Sequence, residues 1–150
     1  KMPRKRCLFY NIYLYKEKIM GAVALYILMR NDMDSLSSGR KMAHASHASN
    51  AFVHEADRQP HSLSQIDAWK SATTQGFGTT IVLSVNEKEM RDIVMLAKVR
   101  GLIANVVTDP SYGIEDGQSA HFISIDTCAY VFGDRDSNEL KELTQHLELA

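Results

Sequence analysis

The sequence predicts an α/β domain, a three-layer α/β/α sandwich around a mixed, roughly four-stranded sheet. Short apolar runs alternate along the chain with amphipathic segments of helical spacing, a pattern typical of a sheet covered on both faces. The last two predicted strands follow each other without a helix between them, which favours a mixed over a wholly parallel sheet. A length of 150 residues indicates one domain that can bury a core without metals or disulfides.

The first half of the predicted domain contains one buried strand and two helices. Residues 22–29 are almost all apolar, as expected for a strand that is buried on both faces. In the polar loop that follows, Ser37 or Ser38 can cap a helix predicted from about Arg40 to Glu55. A second, short helix is expected around Trp69.

The second half predicts the remaining strands and two more helices. Asn86 and Gly101 are suitable start and stop residues for the helix between them. A Gly-, Asp- and Ser-rich loop is expected to begin at Asp109. The predicted elements are a strand over 79–85, a helix over 87–100, a strand over 102–107, one or two strands within 122–132 and a closing helix over 134–147.

Charge and cysteine content exclude some classes of protein. The formal net charge of −1 gives no nucleic-acid signal for the whole molecule, although a local basic patch remains compatible with it. Cys7 and Cys128 fit neither a disulfide framework nor a CxxC motif. We therefore expect two free thiols in a reducing compartment, the cytoplasm, with Cys128 as a small apolar core residue.

Residues 1–19 differ from the rest of the chain and are interpreted as an N-terminal extension or leader before a domain at 20–150. A basic start is followed by an aromatic-rich stretch that contains Asn11 and ends in Lys16-Glu17-Lys18. This stretch lacks a small-residue cleavage site and is too short to span a bilayer. No membrane partner is therefore expected.

Polar residues follow two of the predicted strands. Asp109 ends one of them, and a loop ending in Ser37, Ser38 and Arg40 follows another. If these strands are parallel neighbours, the carboxylate and a helix N-terminus, which favours anions, share one edge of the sheet. A carboxylate there can orient or deprotonate water for ester hydrolysis. The alternative is that Asp109 only caps a turn before Pro110.

Three histidines lie on the first predicted helix. His44 and His47 are neighbours on one face, and His54 follows His47 by two turns. Two such histidines can contribute to a metal site, but the HExxH pattern is absent and a third ligand is required. The alternative, which we favour, is that His47 packs under the sheet edge while His54 is solvated.

The segment 26–52, YILMRNDMDSLSSGRKMAHASHASNAF, resembles the opening strand, loop and helix of the type-II peptidyl-tRNA hydrolases. The likeness consists of a strand ending in Arg-x-Asp, a glycine before a basic residue, and a small-residue helix with Ser46-His47-Ala48. Trp69, the AKVRG segment at 97–101 and the closing TQHLEL segment at 144–149 follow in the family's order.

This resemblance implies a single α/β domain, often a homodimer, that hydrolyses the ester between peptide and tRNA without a metal or organic cofactor. It implies that Asp109, Thr127 and His47 form the catalytic set. Arg40 matches a basic residue that follows the family's loop glycine, and for a hydrolase of this kind the further candidates for binding tRNA and substrate are Ser37, Ser38, Lys41 and Ser111.

The chain departs from the family pattern in three places. The family has a lysine where this chain has Ser38, and a glutamine where it has His44. The loop after Asp109 is longer than in the family, and Ser111 is the nearest counterpart of the threonine found there. The sequence therefore leaves two alternatives to a hydrolase of this kind. One is a non-catalytic domain of the same fold that binds RNA or protein, and the other is a metal-dependent hydrolase that uses His44 and His47.

Overall fold

The sheet of this computed structural model, which describes residues 22–60 and 63–150, has four strands. The strands are β1 (Val23–Arg30), β2 (Thr80–Val85), β3 (Ile103–Glu115) and β4 (Ala120–Asp134). Their order across the sheet is β2-β1-β4-β3, and β4 runs antiparallel to both of its neighbours while β1 and β2 are parallel. The predicted mixed sheet is therefore confirmed. The expected extension at 1–19 lies outside the described residues.

Helices cover both faces of the sheet and complete the predicted sandwich. The helices are α1 (Ser38–Ala56), α2 (Leu63–Lys70), α3 (Glu87–Val99) and α4 (Asn138–Thr144). Because side chains alternate along a strand, β1 contributes Leu25, Ile27 and Met29 to the core under α1 and α2, and Leu28 to the core under α3 and α4. Of the described helices, none is both long and apolar enough to cross a membrane.

An aromatic cluster fixes α1 and α2 on the sheet. The ring of Phe52, fully buried, lies 5.4 Å from that of Trp69 and 4.7 Å from that of Phe132. The indole nitrogen of Trp69 donates a hydrogen bond to the Thr79 carbonyl at 2.8 Å, so its polar atom is satisfied in the core. A Cβ at Gly78 would lie 2.6 Å from the Trp69 carbonyl oxygen, so this close approach requires glycine.

The helix boundaries predicted from capping residues are confirmed. Ser37 caps α1 by accepting a hydrogen bond from the Arg40 amide. Asn86 caps α3 in the same way, with a 2.8 Å bond from the Glu89 amide. Gly101 follows that helix with φ of +78°, a left-handed conformation that stops it.

Two predictions for the second half are wrong. The loop expected from Asp109 is instead a strand continuation, since β3 and β4 form one long hairpin that turns at residues 116–119. The closing helix is shorter than the predicted 134–147, because β4 extends to Asp134 and the helix begins only at its cap, Ser137. The last residues run along the free edge of β2, where Ala150 donates its amide hydrogen to Val82.

Candidate active site

The β3–β4 hairpin is bent by two irregularities in strand register. At the first, Val107 pairs with Cys128 and Thr108 pairs with Asp126, so Thr127 is an additional residue on β4. Such a bulge breaks the alternation of side chains. Thr127 and Cys128 consequently both contact His44 of α1, through a Thr127 Oγ1–His44 Nδ1 distance of 3.1 Å and a Cys128 thiol bond to the His44 carbonyl.

The second bulge lies on β3 between Asp109 and Tyr112, which pair with Ile125 and Ile123. Pro110 is one of the two residues between them, and its missing N–H is tolerated because β3 is an edge strand. The irregularity turns Asp109 and Tyr112 toward the same side, where both approach His44. Both bulges therefore aim polar side chains at one point of α1.

His44 lies at the centre of this cluster and is only 4% exposed. Its Nδ1 faces the Thr127 hydroxyl, and its Nε2 lies 3.8 Å from Oδ2 of Asp109. Because an ionised carboxylate can only accept hydrogen bonds, we assign the ring proton to Nε2. Thr127, His44 and Asp109 then form a row in which Nδ1 accepts a hydrogen bond from Thr127, while Nε2–H faces the Asp109 carboxylate across 3.8 Å, a separation longer than a direct hydrogen bond.

The protonation of His44 is controlled by burial. Burial lowers the pKa of His44, and the nearby His47 and Arg40 lower it further, while the Asp109 carboxylate opposes them. The net lowering keeps the imidazole neutral at neutral pH. A neutral ring can donate from Nε2 and accept at Nδ1 at the same time, as the row requires.

The Asp109 carboxylate is oriented by the backbone of the β3 bulge in which it lies. Its Oδ1 accepts a hydrogen bond from the Ser111 amide at 2.9 Å, which fixes the plane of the carboxylate. The side chain is 23% exposed, so solvent reaches it even though His44 beside it is buried. Asp109 thus combines a fixed orientation with access for water or a ligand.

Arg40 joins α1 to the distal part of the hairpin. Its guanidinium donates to the carbonyl of Gly113 at 2.9 Å and lies over the Tyr112 ring, 4.8 Å from the ring centre. The hydroxyl of Tyr112 in turn lies 3.0 Å from that of Ser35. These contacts hold the hairpin against the start of α1 and form one wall beside Asp109.

The other predicted binding residues surround this wall. Ser37 and Ser38 are exposed at the first turn of α1, and the hydroxyl of Ser37 is occupied by its capping bond. Lys41 is partly exposed on the same turn, and Ser111 is exposed next to Asp109. The structure thus brings the residues predicted for tRNA contact to the same edge as Asp109.

The predicted arrangement of the histidines is partly wrong. His47 is exposed instead of packed under the sheet edge, and its ring meets that of His44 edge-on at 5.2 Å. His44 takes the buried position, since it faces the bulge at Thr127. His54 is exposed, as expected. Within 22–60 and 63–150, no group of three or more His, Cys, Asp or Glu side chains has an arrangement that could hold a metal.

Asp109 and the start of α1 lie at the same edge of the sheet, but not because their strands are parallel neighbours, as the prediction assumed. β1 and β3 are not neighbours, because β4 lies between them. β4 is antiparallel to both, however, so β1 and β3 run in the same direction and their carboxyl ends lie at the same edge. The predicted juxtaposition follows from this topology.

Cys128 is packed as a core residue and does not behave as a nucleophile. Its thiol is fully buried and donates to the His44 carbonyl at 3.3 Å. Burial raises the pKa of this thiol to about 11, so the reactive thiolate is scarce at neutral pH. The prediction that Cys128 is a small apolar core residue is confirmed.

Sequence reasoning did not select several residues that surround the site: Ser35, Thr108, Tyr112 and Asp126. Tyr112 and Asp126 face their neighbours only because of the two bulges. A regular alternation read from the sequence assigns them to other faces of the sheet. Of the ion pairs near the site, only the one between Arg30 and Asp32 corresponds to a pattern noted in the sequence, Arg-x-Asp.

Surface cavities lie elsewhere in the domain. One of about 490 Å³ is lined by Tyr26 and Arg135, and another of about 430 Å³ lies between α3 and α4. Both are on the face of the sheet opposite to α1. The site at Asp109 is therefore selected by its convergent polar side chains and not by cavity size.

Comparisons with known proteins agree with the fold and identify the family. A protein of unknown function from Agrobacterium tumefaciens has a similar structure, with a TM-score of 0.53 and 9% sequence identity over 86% of this chain and 98% of its own. At that identity the likeness shows the fold alone. No curated protein matches the chain significantly. The family model described as peptidyl-tRNA hydrolase PTH2 matches residues 23–150, so this chain belongs to that family.

Proposed function

We propose that this protein hydrolyses the ester that joins a peptide to the 3′ end of tRNA, releasing free tRNA. The observation that carries the proposal is the oriented, solvent-accessible carboxylate of Asp109 next to the neutral His44–Thr127 pair. Membership of the peptidyl-tRNA hydrolase family supports the same substrate. On these grounds we also expect the protein to act in the cytoplasm and as a homodimer.

In this mechanism Asp109 acts on the attacking water. Its Oδ1 accepts from the Ser111 amide and its Oδ2 faces His44, which leaves lone pairs for a water at the exposed edge. The carboxylate takes a proton from this water as its oxygen bonds to the ester carbonyl carbon. The bond from that carbon to the ribose oxygen then breaks, and Asp109 gives the proton that it took from water to the ribose oxygen, which yields the free hydroxyl and restores the carboxylate.

His44 and Thr127 position the carboxylate in this proposal. Thr127 fixes the ring of His44 by donating to Nδ1, so that Nε2–H points at Asp109. His47 is exposed and in edge contact with His44, and on this ground we expect it to meet the substrate. In this proposal Asp109 transfers the proton, and His47 contacts the substrate.

The proposed tRNA contacts lie on the first turn of α1. Arg40 and Lys41 supply positive charge on that turn, where Ser38 is exposed, and Ser111 is exposed next to Asp109 in the sequence. Cationic side chains and helix N-termini are common phosphate ligands. They would hold the terminal nucleotides while the ester reaches the carboxylate.

The test is hydrolysis of N-acetyl-aminoacyl-tRNA by the purified protein in the presence of a chelator. We expect turnover by the wild type and a fall of about a hundredfold or more in Asp109→Asn, because a general base is lost. Asp92→Asn is the matched control, since Asp92 lies on α3 in an exposed pair with Lys88. Loss of wild-type turnover in chelator would instead favour metal-dependent hydrolysis.

A binding domain without catalysis is the second candidate. Arg40 uses its guanidinium for contacts within the chain, and Ser38 occupies the position where the family has a lysine. If folded wild-type protein shows no turnover at high concentration, hydrolysis of this substrate is ruled out. Retention of deacylated tRNA in an anisotropy titration would then support the binding function.

A further inference from the structure

A charged network lies behind the site, on the α3 face of the sheet. Arg30, buried at the end of β1, donates to Asp32 at 2.8 Å and lies 3.3 Å from Glu87 of α3. Arg91, one turn further along α3, pairs with Glu87 at 2.9 Å and with Asp126 at 2.7 Å. The hydrogen bond from Arg30 lowers the pKa of Asp32, so this pair stays ionised at neutral pH.

Asp126 links the charged network to the first β-bulge, where it pairs with Thr108. Its Oδ1 accepts a hydrogen bond from the Thr108 hydroxyl at 2.6 Å, and its Oδ2 accepts from Arg91. Its backbone carbonyl accepts from Arg30 at 2.9 Å. All three oxygens of Asp126 are therefore fixed by side chains from β3, α3 and β1.

The hydrogen bond between Thr108 and Asp126 joins two residues that each precede a residue of the site. Thr108 comes before Asp109, and Asp126 comes before Thr127. The register changes between Val107 and Thr108, so the regular backbone ladder is interrupted where the two strands must hold Asp109 and Thr127. The Thr108–Asp126 bond is a side-chain link across that interruption.

We propose that Asp126 and Thr108 are positioning residues, which set the distance between Asp109 and the Thr127–His44 pair from the opposite face of the sheet. Their side chains bond to each other, and that of Asp126 also accepts from Arg91 of α3, on the face of the sheet opposite to α1. The inference rests on the proposed ester hydrolysis for its kinetic effect, but the geometric part can be tested without turnover. The link fixes β3 to β4, and the two arginines fix β4 to β1 and α3.

The decisive variant is Thr108→Val, which removes the hydroxyl without changing charge or overall shape. We expect kcat for N-acetyl-aminoacyl-tRNA to fall about tenfold or more with KM within about twofold, because a small misplacement of reacting groups is costly while binding contacts persist. Thr108→Ser, which keeps the hydroxyl, should retain the wild-type kcat. Asp126→Asn provides a second variant, and Thr108→Val/Asp126→Asn should be no slower than the slower single variant.

An NMR titration of the His44 ring supplies the readout that does not need activity. In Thr108→Val, loosening of the Thr127 contact should shift the His44 signals and its titration midpoint, although residue 108 carries no charge. If the wild type is active and Thr108→Val keeps its kcat, the positioning role is overturned. If the wild type shows no turnover, unmoved His44 signals in folded Thr108→Val overturn it, and moved signals support it.

Discussion

At the scale of single residues, His44 shows how one buried side chain can organise a site. It is held by Thr127 on one nitrogen and faces Asp109 with the other, and its burial favours the neutral ring. The family resemblance implies a glutamine at this position, and glutamine also offers both a donor group, its NH2, and an acceptor, its carbonyl oxygen. His44 therefore takes the place of an uncharged amide, with the difference that it can be protonated.

This difference predicts a dependence of stability on pH. The pKa of His44 is lowered in the folded state, so the unfolded chain binds a proton more readily. Its contribution to stability is complete above the ordinary histidine value of about 6.5 and is lost as the pH falls from there through the lower folded pKa. His44→Gln should remove this component, so urea midpoints of the variant and wild type should converge or cross between pH 7.5 and 5.5.

A matched histidine variant separates this effect from general acid sensitivity. His54→Gln changes an exposed histidine of the same helix, so it controls for the loss of a histidine that is not buried. Should His44→Gln track the wild type at both pH values, burial of His44 would not be what limits its protonation.

At the scale of secondary-structure elements, α1 is held chiefly by its buried face and carries the site on its first turns. Phe52 is fully buried against Trp69 and Phe132, whereas Met42 on the same helix is 70% exposed. We expect Phe52→Ala to lower the free energy of unfolding by about 3–5 kcal/mol. Met42→Ala should change it by about 0.5 kcal/mol or less, as is usual for surface positions.

Urea unfolding followed by far-UV circular dichroism would check this pair. If Phe52→Ala fails to fold, Phe52→Leu keeps the test usable, since it should cost less than the alanine variant but more than Met42→Ala. Equal midpoints for the Phe52 and Met42 variants would show that α1 is not anchored through this ring.

The elements also show where sequence reasoning succeeds and where it fails. The apolar run of β1 and the caps Ser37 and Asn86 are local signals, so their elements were predicted within a few residues. The hairpin was missed because Pro110 and the glycines near it read as a loop, while pairing with β4 keeps the segment extended. A bulge depends on the partner strand, so Thr127 could be proposed only from the family resemblance, whereas Asp109 could also be proposed from its place at the end of a predicted strand.

At the scale of the whole molecule, charge distribution decides how tRNA would be held. A formal net charge of −1 gives no overall attraction for a polyanion, so binding has to rely on local cations. The proposed contacts are few, and Arg40 already bonds to the carbonyl of Gly113. Lys41 is therefore the residue expected to carry much of the phosphate contact at the site.

This distribution predicts a shallow salt dependence that one variant can reduce. Each neutralised phosphate of a single strand adds about −0.7 to the slope of log affinity against log salt. Lys41→Ala should therefore weaken tRNA binding at low salt and make the slope shallower by about 0.7. Lys98→Ala is the control: Lys98 lies on α3, where its ammonium is 3.2 Å from Oδ1 of Asn105 on β3, and its removal should leave the slope unchanged. A slope that is the same in wild type, Lys41→Ala and Lys98→Ala would mean that the phosphates bind away from the first turn of α1, and the proposed path of the tRNA across this edge would be wrong.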